Sequence, residues 1–235
     1  MMEKPISMKR VIGLSSILLS LTVPISVKGM EPSKLLSLYP KGLTFDVIRN
    51  DDVVGRHTVT FKYIGSAELH VNSVLKLKIT VLSIPIYRYQ YTSNSTWKRG
   101  RMIRLQADQD DNGSVSRVSA LIEKNFFVIK GPENNIKTGK YFFPTNHWHA
   151  GVVGEKEVLN TLTGNIASVR ISPGPAERIL AQDQLITATP YRYTGDIETT
   201  VWYDRDGRWV KMAFIAKGGS HMKYYCVECG LGLDD

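Results

Sequence analysis

Cysteine is scarce in this chain, with two among 235 residues, Cys226 and Cys229. So few exclude a disulfide framework, and a single C-x-x-C lacks the second half of a four-ligand zinc site. Lys and Arg never run longer than two despite a formal net charge of +8. A basic stripe interleaved with exposed aromatics, the usual mark of a nucleic-acid protein, is therefore missing, and no nucleic-acid partner is expected. There is no G-x-S-x-G elbow, no phosphate loop, no paired-glycine dinucleotide fingerprint and no H-E-x-x-H. The local signatures of the common hydrolases, nucleotide enzymes and zinc proteases go with them, and no cofactor is expected. No repeat of fixed period and no interior low-complexity tract occurs either.

What is present begins at the N-terminus. Lys9 and Arg10 precede an uncharged run of seventeen residues, Val11 to Val27, diluted by serines and a threonine and interrupted by Pro24. A basic start, a short apolar centre and small residues near a cut read as an export signal, with cleavage after Gly29. The competing reading is an uncleaved membrane anchor, but the run falls short of the roughly 20 residues that a spanning helix needs. No cysteine follows to carry a lipoprotein's lipid. The expected organisation is a signal peptide at 1–29 and one β-rich domain at 30–235, delivered to the periplasm with no transmembrane segment after cleavage. The removed segment carries a net +3, which leaves +5 on the mature chain. That modest charge suits an envelope of anionic lipids and polysaccharides.

Period-two alternation dominates the mature chain. Leu69, Val71, Leu75, Leu77, Ile79 and Val81 fall on every second position, broken only by Ser73. Such a row is a strand with one buried face, whereas a helix would scatter these residues all round its surface. The same pattern recurs in Val59, Phe61 and Tyr63, in Tyr87, Tyr89 and Tyr91, and in Ile197, Thr199, Val201 and Tyr203. Asn50-Asp51-Asp52, Lys98-Arg99-Gly100, Asp110-Asp111-Asn112-Gly113, Asp204-Arg205-Asp206-Gly207 and Gly218-Gly219-Ser220 supply the residues that tight hairpins need. The expected fold is all-β, a curled antiparallel sheet (β-roll, half-barrel or barrel) of roughly ten to twelve strands. Glu31–Leu38 reads as a short lead-in helix. Gly131–Gly154 reads as one long loop crossing the fold, and Ala176–Gln182 as a helical turn.

Several places could carry chemistry. Asn146-His147-Trp148-His149 ends the long loop, and in extended backbone His147 and His149 would point the same way and share a metal. A third ligand would have to come from His57, His70, His221 or Asp111. The plainer reading has Trp148 plugging the core while both histidines bond loop backbone, and it outweighs a metal site. Asp108, Asp110 and Asp111 lack the ligand spacing of a calcium loop and read as a hairpin turn. Asn94-Ser95-Thr96 and Asn112-Gly113-Ser114 match a glycosylation pattern that matters only in a eukaryotic secretory pathway. Cys226 and Cys229 read as a local disulfide in an oxidising compartment. Tyr87, Tyr89 and Tyr91, with Trp148, are candidates to line a groove for an apolar or amphipathic ligand, though ordinary β propensity accounts for the tyrosines equally well.

The phrases Leu43–Asn50 with Val54-Gly55-Arg56-His57, Trp97–Arg101, Asp110–Gly113, Pro144–Trp148, Asn160–Gly164 and Val201–Trp209 occur in that order. In this the chain resembles an uncharacterised bacterial exported family catalogued only as a domain of unknown function. The resemblance implies a signal-bearing protein with a rolled antiparallel sheet and transfers no activity. His147 and Trp148 belong to the family pattern, while His149 stands where asparagine is usual, which weakens the two-histidine metal reading. Three functions follow as expectations. The first is a non-enzymatic β domain that binds an apolar or amphipathic envelope ligand such as a lipid. The second is a hydrolase centred on His147 with Asp111 or Arg101. The third is a structural or assembly partner, of unknown oligomeric state.

Overall fold

A computed structural model describes residues 35, 37–64, 68–216 and 218–232. The signal expected at 1–29 lies outside these residues, as does most of the lead-in helix expected at Glu31–Leu38. Of the latter, Leu35, Ser37 and Leu38 are helical, and Tyr39 N–H closes the turn onto Leu35 O at 3.0 Å.

The strands follow one another with short connections. The first eight are β1 (Leu43–Arg49), β2 (Asp52–Ile64), β3 (Glu68–Val81), β4 (Ile84–Lys98), β5 (Arg101–Asp111), β6 (Ser114–Glu123), β7 (Phe126–Lys130) and β8 (Asn135–Thr138). The second eight are β9 (Phe143–Pro144), β10 (Glu157–Leu159), β11 (Ile166–Pro173), β12 (Glu177–Ala181), β13 (Gln184–Gly195), β14 (Thr199–Asp204), β15 (Trp209–Ile215) and β16 (His221–Glu228). Sixteen strands exceed the ten to twelve expected. Five of them hold five residues or fewer, too short for alternation to show above local composition.

All sixteen form one sheet in the order β8-β7-β6-β5-β4-β3-β2-β1-β16-β15-β14-β13-β11-β10-β9, with β12 paired to β13. Every pairing is antiparallel except β9 with β10. The first eight strands form a meander, and β16 closes onto β1, so the two halves of the chain join at the sheet's centre. Turn chemistry sets the register. Arg99-Gly100 and Asn112-Gly113 both hold positive φ at both positions, as two-residue hairpins matched to strand twist require.

Two expectations change here. The segment expected as a helical turn at Ala176–Gln182 holds strand β12 (Glu177–Ala181) instead, because Gln182 and Asp183 take positive φ and fold it back on β13, with Ile179 opposite Ile186. The segment 131–154 is not all loop, since β8 extends the meander before the chain turns inward. The rest of it does cross the concave face. Phe142, Phe143 and Trp148 are buried there, with Trp148 1 % exposed and set edge-on against Trp97 at 4.9 Å.

The sheet curls over that segment. Leu77 and Tyr89 on β3 and β4 face the same interior space as Met212 and Phe214 on β15, strands far apart in the sheet order. Among the described residues, no helix is long and apolar enough to cross a membrane. Cys226 and Cys229 form a disulfide at the end of β16.

Candidate functional site

The curl encloses a cavity of about 710 Å³, inside the range of small-molecule sites. Its walls come from the alternating rows. Leu75, Leu77 and Ile79 on β3 face inward beside Tyr91, Tyr89 and Tyr87 on β4, which they oppose residue for residue. Met212 and Phe214 on β15 and Met222 and Tyr224 on β16 close the other side. Exposure grades along the space. Ser73 and Tyr91 are buried, Leu77 and Tyr89 half-buried, and Ile79 and Tyr87 reach the open end formed by the strand tips.

Polar groups gather at the inner end. Ser73, the one break in the apolar row of β3, shares a hydrogen bond with His57 Nε2 at 2.7 Å. Tyr91 OH donates to Thr161 Oγ1 at 2.9 Å, and Thr161 in turn lies 3.2 Å from Thr145 Oγ1. Asn146, His147 and Trp148 supply the inner wall. The backbone of that wall is fixed from outside the loop. Tyr203 OH donates to His147 O at 2.8 Å and Tyr39 OH to Trp148 O at 3.2 Å, while Tyr39 OH also accepts from Trp209 N–H at 2.8 Å. Asn160 Oδ1 accepts from Leu162 N–H at 2.9 Å and so shapes the turn that presents Thr161 and Leu162.

His57 and His147 both pack against Trp209, at ring separations of 5.5 and 5.7 Å. Burial pushes His57 down to about 3, helped by repulsion from His147, and burial alone takes His147 to about 4. Both imidazoles are thus neutral at ordinary pH. Burial also raises the Tyr91 phenol. His57 Nδ1, Asn146 Nδ2, His147 Nδ1 and Trp148 Nε1 are shielded and have no hydrogen-bond partner among the described residues. An unmet buried donor or acceptor costs about 1–3 kcal/mol, so four at one end of one cavity mark a place built at some expense to stability. Charged side chains on the cavity, Arg49, Asp111 and Glu198, sit at or beside the ends of strands at its mouth.

The candidate residues separate as follows. Tyr87, Tyr89, Tyr91 and Trp148 all line the cavity, the first three through their rings, with Tyr89 OH donating to Gln109 Oε1 at 3.1 Å. His147 lines it at the inner end and Asp111 at the mouth. Arg101 lies elsewhere, over the Tyr141 ring at 5.0 Å. His147 and His149 do not point the same way, because the backbone turns between them. His149 stacks on Trp97 at 5.7 Å and its Nδ1 accepts from Gly151 N–H at 3.0 Å. Burial holds it at about 4. His70 and His221 are on other faces, and no group of three His, Cys, Asp or Glu among the described residues is placed to share a metal. The Ser73–His57 pair was not singled out from sequence; the polar break at Ser73 in an apolar row was its only visible sign.

A family model described as a domain of unknown function, DUF6134, matches residues 45–227. No curated protein matches the chain. Among solved structures, a beta-barrel-like protein of domain of unknown function DUF1849 from Brucella abortus is similar, with a TM-score of 0.56 and 11 % identity. The match covers 80 % of this chain and 95 % of that one. At that identity the likeness speaks for the fold alone.

Proposed function

The chain belongs to the DUF6134 family of domains of unknown function, and we propose that it is an exported, non-enzymatic β protein that holds an amphipathic envelope ligand in its chamber. Export rests on the N-terminal sequence at 1–29. The observation that carries the binding reading is the cavity of about 710 Å³, apolar along its walls and polar at its inner end. Ligand sites are usually of this kind, mostly apolar surface with a few convergent polar groups. The apolar part of the ligand lies along Leu75, Leu77, Ile79, Met212 and Phe214. Its polar end lies toward Asn146, His147 and His57, whose shielded nitrogens have no partner among the described residues. With neutral imidazoles and no Lys or Arg at that end, an uncharged oxygen-bearing group fits better than an anion, whose burial without a counter-charge is costly.

Trp148 and Trp209 border the space, so a monoacylglycerol brominated along its chain reports on entry. Saturable quenching of tryptophan fluorescence, weakened in Trp209→Phe, supports the reading. Quenching that rises linearly with no saturation, and is the same in that variant, overturns it.

A second reading has one observation in its favour. Ser73 Oγ and His57 Nε2 at 2.7 Å are spaced as a nucleophile and its base. The chemistry is poorly supported, since His57 Nδ1 has no carboxylate or carbonyl to orient it among the described residues. Burial also opposes the imidazolium that acyl transfer must form. Labelling of Ser73 by a fluorophosphonate, lost in Ser73→Ala, would establish this reading in place of the first.

A further inference from the structure

The β3–β4 hairpin outruns its neighbours. Pairing of β2 with β3 ends at Gly55 and Leu77, and pairing of β4 with β5 ends at Tyr89 and Asp111. Residues 78–88 therefore form a two-stranded arm that reaches about 13 Å past Leu77 at roughly 3.3 Å per residue. Its end is aliphatic and exposed: Val81, Leu82, Ile84 and Ile86, with Leu82 92 % exposed. Leu82 and Ser83 form the turn with φ of +49° and +68°, a conformation that Asn and Gly take far more readily than leucine. An aliphatic side chain thus sits where neither burial nor backbone preference favours it. Val53 and Ile215, also exposed, stand on other strand ends at the same end of the sheet.

Charge distribution says what meets this tip. On the stretch of β3 and β4 nearest the tip, residues 76–90, the charged side chains are Lys76, Lys78 and Arg88, with no Asp or Glu among them. At the base of the arm Lys78 stands directly opposite Arg88, and neither has an ion-pair partner among the described residues. Like charges opposed across strands are unfavourable in the folded chain alone, and an anionic surface relieves them. The acidic turn Asp110–Asp111 reaches only the base of the arm, where Asn112 N–H bonds Arg88 O at 2.8 Å and the Asp111 carboxylate is held by the Tyr87 hydroxyl. The tip beyond it, residues 79–86, carries no acidic side chain. Ile79 and Tyr87, on the arm itself, border the chamber mouth.

We propose that the tip of the β3–β4 arm docks the protein on an anionic lipid bilayer, with Leu82, Ile84 and Ile86 entering the interface and Lys78 and Arg88 meeting lipid phosphates. An exposed aliphatic cluster beside basic side chains is how peripheral proteins hold such surfaces. Docked this way, the chamber mouth faces the bilayer. Docking does not depend on what the chamber holds.

Flotation with vesicles of phosphatidylcholine, with and without phosphatidylglycerol, tests it on the full chain. Wild type is expected to float with the phosphatidylglycerol vesicles and far less with phosphatidylcholine alone. Leu82→Asp should weaken binding about tenfold through lost apolar insertion. Lys78→Gln and Arg88→Gln should each weaken it about fivefold. All three positions are exposed, and near-ultraviolet circular dichroism confirms that the variants fold. Because residues 1–29 are basic and apolar and would hold every variant on such vesicles in parallel, the same comparison is run on the chain from residue 30, where the ratio of variant to wild type reports the arm alone. Folded wild type that ignores phosphatidylglycerol vesicles, or folded Leu82→Asp that binds like wild type, overturns the proposal. In the latter case a protein partner becomes the explanation of the tip. Saturable ligand quenching retained in Leu82→Asp would show that a docking failure leaves the chamber reading intact.

Discussion

Acidification should unfold this protein through its interior histidines, and the size of the effect follows from where they sit. His57 is held at about 3, and His147 and His149 at about 4, by burial. An unfolded chain titrates them near 6.5. Above that value both states are neutral and the three contribute no pH dependence. As pH falls below 6.5 the unfolded chain takes up protons that the folded chain refuses, so stability drops, and the loss ceases only near pH 3–4. By pH 5 each histidine has cost about 2 kcal/mol, or about 6 kcal/mol together. That is comparable with the whole stability of an ordinary domain. Urea melts followed by tryptophan fluorescence at pH 8, 7.5, 7, 6.5, 5.5 and 5 measure it. The midpoint should hold between pH 8 and 7 and then fall steeply, at up to about 4 kcal/mol per pH unit close to pH 5. In His147→Gln the slope should shrink by about a third. A midpoint that does not move between pH 7.5 and 5, or a slope unchanged in His147→Gln, would refute the placement of neutral imidazoles inside the fold.

Other consequences are local. A Cβ on Gly55 would stand 2.0 Å from Lys76 O, where β2 last touches β3, so Gly55→Ala should destabilise by about 2 kcal/mol or more in urea melts. Replacing Cys226 and Cys229 by serine opens a four-residue loop and should cost about 2 kcal/mol, with no change in the pH slope. Ser73→Ala removes the hydroxyl that His57 bonds. It should lower stability by about 1 kcal/mol and change ligand quenching modestly, whereas abolition of an ester-cleaving activity would speak for the second reading.

The sequence is legible where one face of a strand is buried over many residues. Leu69 to Val81 alternate because one side meets the interior and the other water, and Ser73 interrupts the row because the inner end of the chamber is polar. The short strands carry no such record: β9 has two residues and β10 three, and tertiary partners place them. Ala176–Gln182 reads as helical because Ala, Glu, Arg, Leu and Gln are good helix formers; the turn at Gln182-Asp183 decides for strand. The histidines were visible as residues but not as a pair. His57 and His147 lie ninety residues apart in sequence, and only closure of the curl brings both against Trp209. His149, which sequence spacing grouped with His147, is turned away by the backbone between them. The docking arm was hidden for a similar reason, since Val81–Ile86 reads as ordinary strand until the neighbours are seen to stop short.

The claim that the chamber is a ligand site meets its most direct test in native mass spectrometry of the protein taken from its own compartment, with a Leu77→Trp variant beside it. Leu77 lies midway along the wall, opposite Tyr89, so a tryptophan there fills the space an acyl chain would occupy. A reproducible bound mass on wild type, released by organic solvent and missing from the folded variant, is the predicted result. Bare protein in repeated wild-type preparations, or a bound mass that persists in Leu77→Trp, would contradict it.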